Sequence, residues 1–108
     1  MSEEAFRRQL EAVSRDYRLS LPAKLEEIAS LWRELASGVA APARLADLQR
    51  ELHSIAGAAK TFGIAGASEA ASAAEAFLAP YCARRKPPPP ARHAGFERLL
   101  DALKQAAR

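Results

Sequence analysis

The spacing of apolar residues between positions 45 and 62 constrains this chain more than any other feature. Leu45, Leu48, Leu52, Ile55, Ala59 and Phe62 follow one another at intervals of three and four. They therefore line one face of a helix for about five turns. Pro42 stands at an early helical position, where its missing N–H is no loss, and Gly63 follows the last apolar residue as a natural stop. No β-branched run and no strict apolar–polar alternation occurs anywhere in the 108 residues, which argues against a half-buried sheet. Alanine dominates the 49% of apolar residues and only 5 glycines interrupt them, a composition that favours helix throughout.

The rest of the chain reads in the same way. Ala5, Phe6, Leu10, Val13 and Tyr17 predict a short amphipathic helix over residues 3–17, with Glu3 and Glu4 in its first turn. Ser20-Leu21-Pro22 then reads as a fresh helix start, Ser20 as N-cap and Pro22 in the first turn. Its stripe is Leu21, Leu25, Ile28, Leu31 or Trp32, and Leu35, closed by Gly38. Phe6 and Tyr17 are expected to fold over one end of the longer helices. After Gly63 comes a segment at about 65–79 that is nearly all alanine before Phe77 and Leu78, and such a face lets a neighbouring helix approach closely. Pro80 is expected to kink or end it, with Tyr81 and Cys82 available for one further turn. Pro87 to Pro90 form a stiff connector, roughly 12 Å long in polyproline II geometry, a better reading than a ligand for a proline-binding module. A last helix at about 92–106 carries Phe96, Leu99, Leu100 and Leu103 on one face.

The expected fold is all-α: an up-down-up-down antiparallel four-helix bundle with a short extra N-terminal helix, spanning residues 1–108 as one domain. A net charge of +3 is a mild bias, compatible with an acidic protein partner or weak nucleic-acid contact. Arg84, Arg85, Lys86 and Arg92 have no aromatic residues interleaved among them, so they read as a solvated run beside a loop and not as a nucleic-acid surface. The single cysteine, Cys82, rules out an intramolecular disulfide and suits a reducing compartment. The start lacks the apolar core of a signal peptide, and no stretch approaches the length of a membrane span. A cytoplasmic protein is expected, without membrane or nucleic-acid partners, and a monomer.

The chemistry concentrates on His53. On the helical wheel it lies roughly 130° from the apolar stripe, on a ridge with Ala46, Gln49, Arg50, Ala56, Gly57 and Lys60. Gly57 stands one turn later in mid-helix, where glycine costs ~1 kcal/mol relative to alanine. Close approach of a partner or a phosphoryl group beside the imidazole is a local reason for that cost. Lys60, two turns along the same face, offers a flexible ammonium for phosphate oxygens. A di-iron bundle needs Glu-x-x-His on two helices, whereas Arg50 and Pro90 occupy the positions three before His53 and His93. No metal site and no hydrolytic triad is expected.

The run His53-Ser54-Ile55-Ala56-Gly57-Ala58-Ala59-Lys60-Thr61-Phe62-Gly63 resembles the phosphoacceptor motif of histidine-containing phosphotransfer (HPt) domains, four-helix bundles that relay phosphoryl groups in two-component signalling. His53, Ile55, Gly57, Ala59 and Gly63 match the family pattern, and Thr61-Phe62-Gly63 matches a common form of its turn. Where many members carry lysine three residues after the histidine, this chain has Ala56, and Lys60 is read as taking over its electrostatic role. In the chemotaxis-kinase branch a glutamate on the next helix hydrogen-bonds the phosphorylatable imidazole, and ungapped matching places Glu75 there. The resemblance implies a phosphocarrier without turnover of its own. His53 would accept the phosphoryl group, with Gly57, Lys60 and Glu75 in support. Gln49, Arg50, Ala56, Gly57 and Lys60 would form the face that meets a response-regulator receiver domain or a histidine kinase. No cofactor is expected on this domain, and Mg²⁺ would come with the receiver. The rival reading is a degenerate HPt domain, an adaptor that binds receivers or kinases without carrying phosphate; retention of both His53 and Gly57 speaks against it.

Overall fold

The computed structural model describes residues 2–38 and 42–108, and its elements are four helices: α1 (Glu3–Ala36), α2 (Pro42–Thr61), α3 (Ala65–Arg84) and α4 (Pro90–Ala106). Each helix packs on the next in the chain, and α1 also touches α4 to close the ring.

The expected break between a short N-terminal helix and a second one at Ser20 does not occur. Ser2, not Ser20, is the N-cap: its hydroxyl accepts the Ala5 N–H at 3.1 Å, and Glu3 and Glu4 follow in the first turn. Ser20 lies mid-helix and donates to the Tyr17 carbonyl at 2.7 Å, the back-bonding a helical serine can make. Pro22 is exposed inside α1. It forfeits one backbone hydrogen bond, a cost of ~3 kcal/mol for an interior proline. The apolar phase explains why the helix runs on. Phe6, Leu10, Val13, Tyr17, Leu21, Ile28, Trp32 and Leu35 stay on one stripe, and Leu21, Ile28, Trp32 and Leu35 are buried. Fully burying each such side chain is worth about 1.5–3 kcal/mol, so the four together outweigh the proline. Ser37 and Gly38, the latter at φ 92°, end the helix as the sequence implied.

A helix of 34 residues is about 51 Å long at 1.5 Å per residue, and the longest dimension of the molecule is 53 Å. The other three helices have 20, 20 and 17 residues, about 26–30 Å each. The first turns of α1 therefore project past the bundle. Phe6 does not fold over its end, as expected from sequence, but stays 59% exposed. Tyr17 does, stacking on Phe62 with ring centroids 5.2 Å apart.

The α2 stripe is buried as its spacing required: Leu45, Leu48, Leu52, Ile55 and Ala59. A Schellman turn ends the helix: Gly63 adopts φ 77° and the Ile64 N–H reaches the Ala59 carbonyl at 2.8 Å. Helix α3 buries Ala67, Ala71, Ala74 and Leu78. These small residues bring α2 close enough for Ser68 Oγ to donate to the Ala56 carbonyl at 2.7 Å. Pro80 does not stop α3, which continues to Arg84 and ends on Arg85 in the left-handed conformation at φ 57°. The proline run is a connector. Pro88 is buried and its carbonyl accepts from His93 Nε2 at 3.1 Å, while Pro90 opens α4. Trp32, His93, Phe96, Phe77 and Tyr81 form a chain of ring contacts across α1, α3 and α4, and Trp32 Nε1 donates to Glu97 at 3.0 Å.

Candidate functional site

His53 stands on the outer surface of α2 with its side chain 77% exposed, because the buried stripe occupies the other side of the helix. Helices α2 and α3 run past one another so that Glu75, 22 positions later, comes beside it. Glu75 Oε1 and Oε2 lie 3.1 and 3.0 Å from His53 Nδ1. A carboxylate can only accept, so Nδ1 carries a proton and donates, which in the neutral ring leaves the lone pair on Nε2. Glu75 itself is only 25% exposed. The packing of α3 against α2 holds the acceptor in place, and a restrained acceptor restrains the ring.

The surroundings of the imidazole are small. A Cβ built at Gly57 meets nothing within 4 Å, so no contact among the described residues requires glycine there. Ala56 is half-buried and its carbonyl is occupied by Ser68. Lys60 is exposed and borders a groove with Ala65, Ser68, Glu69 and Ser72. Side chains on a helix lean toward its N-terminus, which tilts Lys60 toward the turn of Gly57 and His53. Gln49 lies one turn before His53, half-buried beside Ala46, Cys82 and Arg85.

Arg50 departs from the expected ridge. Its guanidinium is tied to Asp47, and both line the groove that α2 makes with Glu27, Ser30, Leu31 and Glu34 of α1. It therefore stands toward α1, away from the α3 side where Glu75 meets His53. The sequence reading also missed residues that complete this side of the site. Ser68 and Ser72 precede Glu75 by seven and three positions, a helical spacing that places them on one face of α3. That signal could be read only once Glu75 was known to face α2. Glu75 acts two turns further on as well. Burial, and secondarily the Glu75 carboxylate, pushes the Cys82 thiol above its ordinary pKa, so Cys82 stays protonated.

The arrangement offers one exposed imidazole, a partly buried carboxylate behind it, open space beside it and a cation at its margin. Among the described residues no helix is long and apolar enough to cross a membrane. Comparison with curated proteins and with solved structures gave no match. The family model described as "Hpt domain" matches residues 8–106, nearly the whole chain. The chain belongs to the Hpt family, whose domains serve phosphotransfer in two-component signalling.

Proposed function

We propose that this domain is a phosphorelay intermediate in which His53 Nε2 exchanges a phosphoryl group with the aspartate of a receiver domain. The observation that carries the reading is the Nδ1–Glu75 contact at 3.0–3.1 Å on a ring that is 77% exposed. In the neutral ring such a contact favours the tautomer whose lone pair is on Nε2. In the forward step the Nε2 lone pair attacks the phosphorus of an aspartyl phosphate in line. The N–P bond forms as the P–O bond breaks, and the departing electron pair returns to the aspartate carboxylate. The ring gains positive charge as the bond forms, and Glu75 balances it through the Nδ1 proton. Reversal of the same step loads the receiver.

The domain supplies no further machinery in this scheme. The receiver brings Mg²⁺ and its acidic cluster, Lys60 contributes positive charge to the phosphoryl oxygens, and Gly57 lets the partner approach the ring. Gln49, Ala56, Gly57 and Lys60 form the docking face together with Ser68 and Ser72, and Arg50 is left at its edge. The domain is a phosphocarrier without independent turnover, acts in the cytoplasm, and has its four helices in up-down-up-down order.

Incubation with a phosphorylated receiver domain, or with an active sensor kinase, is expected to produce an acid-labile, alkali-stable phosphate on this chain. The His53→Gln variant should stay helical and take no label. Labelling that survives in the variant refutes the assignment. Tight receiver binding with no label in the wild-type chain would favour the adaptor instead.

A further inference from the structure

We infer that the projecting arm of α1 is a self-association surface, through which two copies of this chain pair head to head with their arms antiparallel. Phe6, Leu10 and Val13 are 59%, 46% and 48% exposed and lie with Tyr17 within about 60° of one another on the wheel. They continue the stripe that α1 buries further along, into a region where α2, α3 and α4 no longer reach. Leu19, 74% exposed, is on the far side of the helix and outside this seam. Three of the four large apolar side chains exposed among the described residues lie on this one seam, and a partner that covers them takes them out of water.

The seam is self-complementary. Its intervals are four, three and four, a spacing unchanged when the helix is reversed. A two-fold axis between Leu10 and Val13 therefore sets Phe6 opposite Tyr17 of the second copy, and Leu10 opposite Val13 of the second copy. The tip of each arm then reaches the Tyr17–Phe62 aromatic pair at the end of the other bundle. In an antiparallel pair like flanks meet like flanks. Arg7 comes beside Ser14 of the second copy, Gln9 beside Asp16, and Glu3 approaches Arg18. Glu4, Arg8, Glu11 and Arg15 point away from the seam, and Arg8 already pairs with Glu4 within the arm. Three half-exposed side chains per arm make a small interface beside the ~800 Å² per partner of a standard complex. The dimer is accordingly reversible.

The test is sedimentation equilibrium of the full chain from about 5 µM to about 1 mM, a range that brackets weak association. The expected result is a mass rising from 11.7 kDa toward twice that value, with Leu10→Arg remaining at the monomer mass throughout. For the register, Leu10→Cys and Val13→Cys are made separately in a Cys82→Ser background and oxidised as a mixture. The antiparallel pairing predicts a mixed 10–13 disulfide well above the roughly one-half share that random pairing of an equimolar mixture gives. A monomer mass over the whole range, a Leu10→Arg variant that associates like the wild type, or a dominant 10–10 disulfide each overturns the proposal. So does a wild-type arm that remains monomeric and is covered only when a receiver is added. The inference does not rest on phosphotransfer: His53→Gln should associate as the wild type does.

Discussion

Replacing Glu75 separates a positioned nucleophile from a merely exposed histidine. The Nδ1–carboxylate contact at 3.0–3.1 Å is a hydrogen bond to a charged group, a class worth about 1.5–3 kcal/mol. The imidazole side chain is 77% exposed, so water competes for it, and a discounted value of about 1–2 kcal/mol is the better basis. Glu75→Ala removes both the preference for the Nδ1–H tautomer and the balancing charge. At ~1.4 kcal/mol per tenfold, transfer should slow roughly 5- to 30-fold. Glu75→Gln keeps an acceptor oxygen for Nδ1–H but loses the charge, and should fall between the two. The assay is single-turnover transfer from a phosphorylated receiver, together with ¹⁵N spectra of His53. In the wild-type chain Nε2 should carry the signature of an unprotonated ring nitrogen, and in Glu75→Ala that signature should weaken. Transfer by Glu75→Ala at the wild-type rate, or a wild-type ring protonated on Nε2, would refute the reasoning.

Gly57→Ala should stabilise the fold by up to about 1 kcal/mol in urea titration, since helix propensity improves and its Cβ meets nothing within 4 Å. Gly57→Leu should also fold but bind the receiver more weakly; an unchanged affinity would place the docking face elsewhere. Pro22→Ala returns an N–H to the interior of α1 and should stabilise by a few kcal/mol at most, whereas at a true helix start it would gain almost nothing. Tyr17 Oη is buried without a hydrogen-bond partner among the described residues, so Tyr17→Phe should be neutral or stabilising by about 1 kcal/mol in thermal melts. Burial also raises the Tyr17 pKa above 10.0. The folded form therefore keeps the proton that the unfolded chain gives up, stability falls as pH climbs above 10, and Tyr17→Phe should lessen that alkaline loss.

Much of this protein is written in local periodicity. The stripe from Leu45 to Ala59 is buried as its spacing demanded, because a single face of a helix decides which side chains leave water. Gly38 and Gly63 end their helices for an equally local reason: both sit at positive φ, where side chains other than glycine are strained. The exposure of His53 followed from the same wheel, and its motif already pointed to the family.

Tertiary structure decided the rest, and each case turns on an energy no local window contains. Pro22 and Pro80 looked like boundaries, yet the buried residues on either side keep both helices running through them. Arg85 ends α3 in a conformation usually left to glycine, and nothing in its side chain announces that. Arg50 shares the ridge of His53 on a wheel, but its pairing with Asp47 beside α1 draws it off the site. The contact between Glu75 and His53 depends on the depth to which an alanine face lets α3 approach α2, a packing distance set by residues on neither side of the contact. Periodicity along the chain was enough to stand a histidine on the surface of a helical bundle. Only the packed structure could put a carboxylate 3.0 Å from its Nδ1 and leave Nε2 free, because that geometry is a property of two helices at once.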